Sequence, residues 1–106
     1  MRHQRIIVQT FFNENPATEG NVIVHHAVKQ QVLKRYPKAF KDVEINSLEN
    51  LRGIPKKINN DMHLSKIRKA WNNFYRTHSN PTRQQILDKA TEIDDLFGHL
   101  FNPPIR

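Results

Sequence analysis

Val22-Ile23-Val24-His25-His26 is the stretch whose reading decides the fold. Three β-branched side chains in succession pack well on a pleated, half-buried surface, so the run predicts a short buried strand. Two histidines close it. Successive strand side chains point to opposite faces. For both imidazoles to serve one site, the backbone must turn at the strand end.

Working outward, Arg5 to Phe12 is rich in β-branched and aromatic residues and predicts a strand or extended arm. Asn13 to Gly20 carries Asn, Pro, Thr and Gly and predicts a loop. Beyond the histidines, Val28, Val32 and Leu33 recur at helical spacing and predict a helix from Ala27 to Tyr36. Pro37 ends it, because the residue before a proline is pushed out of the helical region. Asp42 to Leu48 is open between a short helix and an ordered loop. Leu51 to Ile54 is a short extended run, and Pro55 keeps it from continuing as a central strand. Pro55 to Asp61 is polar and turn-like.

From Met62 or His63 to Tyr75 the pattern turns helical, with Leu64, Ile67, Trp71, Phe74 and Tyr75 on one face. Trp71 and this stripe read as core, not as a platform for stacking bases. A last helix is expected from about Pro81 to Phe97, capped by Asn80, with Ile86, Leu87, Ala90, Ile93, Leu96 and Phe97 as its apolar stripe. Gly98 predicts a left-handed stop, and Pro103-Pro104 ends further regular structure. The expectation is an α+β chain with a mainly helical C-terminal half. It forms a single domain over 1–106: an arm and loop over 1–20, a core over 21–76 and a helix over 81–98.

The chain has 106 residues, enough for one core of modest size, and its mean hydropathy is −0.74. No apolar run approaches the length of a membrane span, and Met1 to Arg5 is not followed by a signal-peptide core. The absence of cysteine removes disulfides, Cys-based zinc sites and thiol nucleophiles together. A net charge of +7 and a pI of about 10.1 favour an anionic partner: nucleic acid, an anionic membrane surface or an acidic protein.

A phosphodiester resists hydrolysis because its anionic oxygens repel a nucleophile. A site that cuts one must activate water, neutralise developing charge and position both. A neutral imidazole can take the proton from water near neutral pH, and a bound divalent cation can stabilise the transition state and the leaving oxygen. His25, His26 and His63 can supply that kit, and the Asn50 amide can fix the ring of the base by a hydrogen bond. His3, His78 and His99 lack comparable context and read as surface residues.

A strand ending in His-His, then Glu49-Asn50-Leu51-Arg52-Gly53-Ile54-Pro55, then His63 opening an amphipathic helix, resembles the HNH/endonuclease VII superfamily. From about Gly20 to Pro104 the chain is similar to the nuclease toxin domains of bacterial polymorphic toxins. The motifs are His-His-Ala-Val, Asn-Leu-Arg-Gly-Ile-Pro and His63-Leu-Ser-Lys-Ile-Arg-Lys-Ala-Trp-Asn-Asn-Phe-Tyr. The resemblance implies a ββα-metal (His-Me finger) core with additional helices. It implies His25 as a metal ligand, His26 as general base, Asn50 as the central asparagine and His63 as the helix-borne metal ligand.

Ile67 stands where many members carry a second helical histidine. Waters or an oxygen group such as Asp61 would then complete the shell. That favours Mg²⁺ or Mn²⁺, with Zn²⁺ or Ni²⁺ as alternatives. Arg52 is a candidate transition-state cation, and equally a residue that holds a loop carboxylate.

Lys56, Lys57, Lys66, Arg68 and Lys69 flank His63 and suit phosphate contacts, which give affinity and salt dependence without reading sequence. The expected activity is a metal-dependent, non-specific endonuclease. DNA is the expected polymer, RNA the alternative, and a non-catalytic nucleic-acid-binding module the competing reading. The resemblance also implies export within a larger toxin, delivery into a target cell's cytoplasm and a cognate immunity protein acidic enough to meet the +7 surface.

Overall fold

The Val22-to-His26 run forms strand β1 (Val22–His26), and the second extended run forms β2 (Leu51–Pro55). They pair antiparallel, with Val22 opposite Pro55, His25 opposite Arg52 and His26 opposite Leu51. A computed structural model of the chain describes residues 2–105, apart from the side chains of residues 2–5, 63 and 64. The predicted histidine at 63, the stripe position Leu64 and His3 therefore have side chains outside the described residues. In chain order the elements are α1 (Arg2–Glu14), β1, α2 (Gln31–Arg35), α3 (Asp42–Ile45), β2 and α4 (Asn59–Asp61). A π-helical stretch over Met62–Ile67 leads into α5 (Arg68–Thr77), and α6 (Arg83–Phe97) follows. The protein is thus small, compact and α+β, with one two-stranded sheet among the described residues and helices elsewhere.

A two-stranded ribbon is marginal in water without packing on its faces. One face is covered by α1, where Ile7 and Phe11, one helical turn apart, pack with Val22 and Leu51. The other side meets the main core. There Ile54 joins Val32, Ile45, Ile67, Trp71, Phe74, Ile86 and Phe101. Trp71 is 2% exposed, in keeping with its reading as core.

Four sequence expectations give way. Residues Arg5 to Phe12 are helical within α1, not a strand or arm. Ile7 and Phe11 also satisfy helical spacing, and a short apolar run does not distinguish the two periods by itself. The Ala27-to-Tyr36 helix shrinks to Gln31–Arg35. The backbone N–H and C=O of Val28 are both taken by the Asn50 side chain, so they do not enter a helical ladder.

The last helix starts at Arg83 and is capped by Thr82, not Asn80. The Thr82 hydroxyl accepts from Gln85 N–H at 3.1 Å, and Gln85 Oε1 accepts from Thr82 N–H at 2.8 Å, a reciprocal capping box. Gly98 is right-handed, with φ of −59°, so it is no left-handed stop. Its smallness serves a close approach instead, because a Cβ there would overlap the Ile105 carbonyl. Gly53 does the same on β2. Its carbonyl accepts from Asn102 N–H at 2.9 Å, and a Cβ would meet the Asn102 carbonyl and the Phe11 ring.

Candidate active site

The strand does not turn before its second histidine. It runs straight through His26, so strand alternation sends the two imidazoles to opposite faces. Both are buried, His25 at 6% and His26 at 5% exposure. The His25 ring meets Phe101 edge-on at 5.8 Å, and its Nδ1 lies 3.2 Å from the Lys29 amine. Burial pushes that amine down to about 7. Near neutral pH it is therefore a hydrogen-bond donor of much reduced charge beside the imidazole.

His26 is held by Asn46, not by Asn50. Its Nε2 lies 3.0 Å from Asn46 Oδ1. An amide oxygen can only accept, so Nε2 carries the proton and the neutral ring keeps its lone pair on Nδ1. Burial pushes the His26 pKa below the ordinary 6.5. The hydrogen bond to Asn46 opposes that shift, and the Lys29 charge adds to it.

The unfolded chain then binds more protons than the folded one as pH falls below 6.5. This contribution to stability is present above 6.5 and is lost as pH falls through the folded value. Urea midpoints should accordingly drop between about pH 7.5 and about pH 5, and drop less in His26→Gln. Parallel curves for parent and variant would assign the loss to other groups.

Asn50 serves the loop that follows. Its Oδ1 accepts from Val28 N–H at 2.8 Å, and its Nδ2 donates to the carbonyls of Val28 at 3.0 Å and Ile45 at 2.7 Å. Its own carbonyl accepts from Ala27 N–H at 2.8 Å. One residue thus ties the end of β1 to the α3 turn and the start of β2. The arrangement fixes where His26 emerges without touching its ring.

Arg52 holds a carboxylate on a helix, not on a loop. Its guanidinium meets both oxygens of Asp94 on α6, at 3.2 and 3.0 Å, and donates to the carbonyls of Glu49 and Leu51. The side chains are 14% and 9% exposed, so the pair is a buried strut between β2 and α6.

The predicted basic residues Lys56, Lys57, Lys66, Arg68 and Lys69 are all exposed. Lys66 is paired with Asp61 at 3.3 Å, so the suggested oxygen ligand already faces a cation. Of the histidines read as surface, His99 is exposed, whereas His78 is half-buried and stacks on Phe74 at 4.1 Å. No three His, Asp or Glu side chains converge as a metal-binding group among the described residues.

Sequence reasoning missed Asn46 and Lys29. Lys29 follows His25 by four residues, but the strand-to-loop change between them hides that spacing. Asn46 gives no signal until α3 is folded against the strand end. Comparison of the chain with protein-family models, with curated proteins and with solved structures found no match.

Proposed function

We propose that this chain is an endonuclease that hydrolyses phosphodiester bonds of nucleic acid, with His26 as general base. The observation that carries the reading is the His26–Asn46 hydrogen bond at a strand end. It leaves a neutral ring with a fixed lone pair on Nδ1, the form needed to take a proton from water. The order of elements supports it: an antiparallel pair of strands followed by a helix that opens at Met62 is the sequence of parts in a ββα core. Asn50, by clamping the loop after His26, is a positioning residue.

A divalent metal, Mg²⁺ or Mn²⁺ by preference, belongs to the same reading. Its proposed ligands are His25, which strand alternation sets on the face opposite His26, and His63, with its side chain outside the described residues. The described donors alone form no ligand set, so no step is derived through the ion. When bound, it would stabilise charge on the reacting phosphate. The chain's own residues would deprotonate water at His26 and hold the polymer by exposed cations.

The net charge of +7 supports a polyanionic substrate. DNA is the proposed polymer, and a role as the toxin domain of an exported bacterial effector, met by an acidic immunity protein, follows from the resemblance. Incubation of the pure protein with plasmid DNA and with total RNA, with and without EDTA, tests the nuclease activity, its polymer and its metal dependence. DNA cleavage stopped by EDTA is expected. Intact DNA and RNA after incubation with added Mg²⁺ or Mn²⁺ would overturn the reading.

A further inference from the structure

Two cavities border α2, and neither is lined by a carboxylate. One, of about 260 Å³, lies between Lys29, Arg68, Trp71 and Tyr75. The other, of about 400 Å³, is lined by Arg35, Tyr36, Lys38 and the segment from Ser79 to Pro81. Clefts elsewhere on the molecule carry acids: Asp94 in one, Glu14 in a second, Glu92 in a third.

The two basic cavities meet at a seam. The Arg35 guanidinium of the second lies over the Tyr75 ring of the first, 4.4 Å from its centroid. Tyr36, whose hydroxyl donates to the His78 carbonyl at 2.7 Å, forms a fixed wall 6.2 Å from the same ring. The inner cavity is lined by Lys29, whose amine lies 3.2 Å from His25 Nδ1.

We propose that these cavities form one phosphodiester-binding track, in which Arg35, Lys38 and Arg68 lead a nucleic acid backbone toward Lys29 and His25. The proposal rests on the nuclease reading above and adds the path of its substrate. Charge is the first argument. No carboxylate pairs with Arg35, Lys38 or Arg68 among the described residues, whereas Lys66 and Lys89 each face one. Lys38 and Arg68 therefore give up no carboxylate to bind a phosphate, and Arg35, which stacks on Tyr75, gives up none either.

The aromatic groups give the second argument. Tyr75 is 8% exposed and already carries Arg35 and Trp71, so it offers a base no open face to stack on. The track therefore holds backbone, not bases. Trp71 and Tyr75 line the inner cavity, and their Nε1–H and O–H are buried without a protein partner among the described residues.

The test uses the full chain carrying His26→Ala, so that a labelled random-sequence DNA duplex stays intact during titration. Each phosphate contact contributes roughly 0.9 to the slope of log K against log salt on duplex DNA. Arg35→Gln, Lys38→Gln and Arg68→Gln together should flatten the slope by roughly two to three. Lys38→Gln with Arg68→Gln alone, which leaves the Arg35–Tyr75 stack in place, should flatten it by nearly ~2. Lys66→Gln with Lys89→Gln should change it less, because each already faces a carboxylate. Intact binding with an unchanged slope in the Lys38 and Arg68 variant overturns the track and leaves the nuclease reading standing. Failure of the parent chain to bind duplex even at low salt overturns both.

Discussion

Cleavage of nucleic acid should fall roughly 10²–10⁴-fold in His26→Ala, the range expected when a general base is removed. The substitution deletes an imidazole whose tautomer is set by the Asn46 side-chain amide. It removes a buried ring as well, so its fold must be checked by circular dichroism before any rate is read. Asn46→Ala should cost less, since the base remains and only its tautomer and orientation are released. Near-parental turnover by a folded His26→Ala protein would end the assignment. A loss shared equally by an unfolded variant would say nothing of chemistry, which is why the spectrum and the rate are needed together.

The second large effect is on stability. Asp94→Ala should destabilise the fold by about 3–5 kcal/mol, because it strands the Arg52 charge where both side chains are largely shielded from water. Urea denaturation reads it directly. Replacing both partners, Arg52→Met with Asp94→Leu, should recover most of the loss, since a buried pair exchanged for apolar side chains of similar volume is often near neutral. The double variant also separates two roles for Arg52. If it folds and cuts at close to the parental rate, the guanidinium serves as a strut. If it folds and is inactive, Arg52 acts on the reacting phosphate in addition to holding Asp94. A loss below about 1 kcal/mol in Asp94→Ala would mean that Arg52 reaches solvent when its partner is gone.

Those two sites differ in how much of them the sequence discloses. The strand at Val22 is legible in its β-branched run bounded by the turn residues Gly20 and Asn21, and the stripe leading into α5 because Ile67, Trp71, Phe74 and Tyr75 keep one period over two turns. The N-terminal segment is not legible. Ile6-Ile7-Val8 favours a strand by local preference, and only the docking of Ile7 and Phe11 on Val22 and Leu51 makes it a helix. The same holds for Ala27 to Gln30, where a distant amide at Asn50 takes the backbone groups a helix would use.

At the site, local sequence picks out His25, His26 and Asn50 as candidates but does not say which touches which. The partner of His26 lies 20 residues away and the partner of Arg52 lies 42 away. Pairings across such separations are set by how helices dock, which residue spacing does not encode.

The two sides of the ribbon are held unequally. Four buried apolar side chains join α1 to the strands, against fourteen in the main core, among the described residues. Local opening follows the side with less to lose, so α1 should detach at a smaller free energy than α5 or α6. In hydrogen-exchange terms its amides should lose protection before those of α5 and α6. Each such excursion bares the strand face of Val22 and Val24 to water with the opposite face still packed. The histidine strand thus belongs to two cooperative units at once, one that breathes and one that does not.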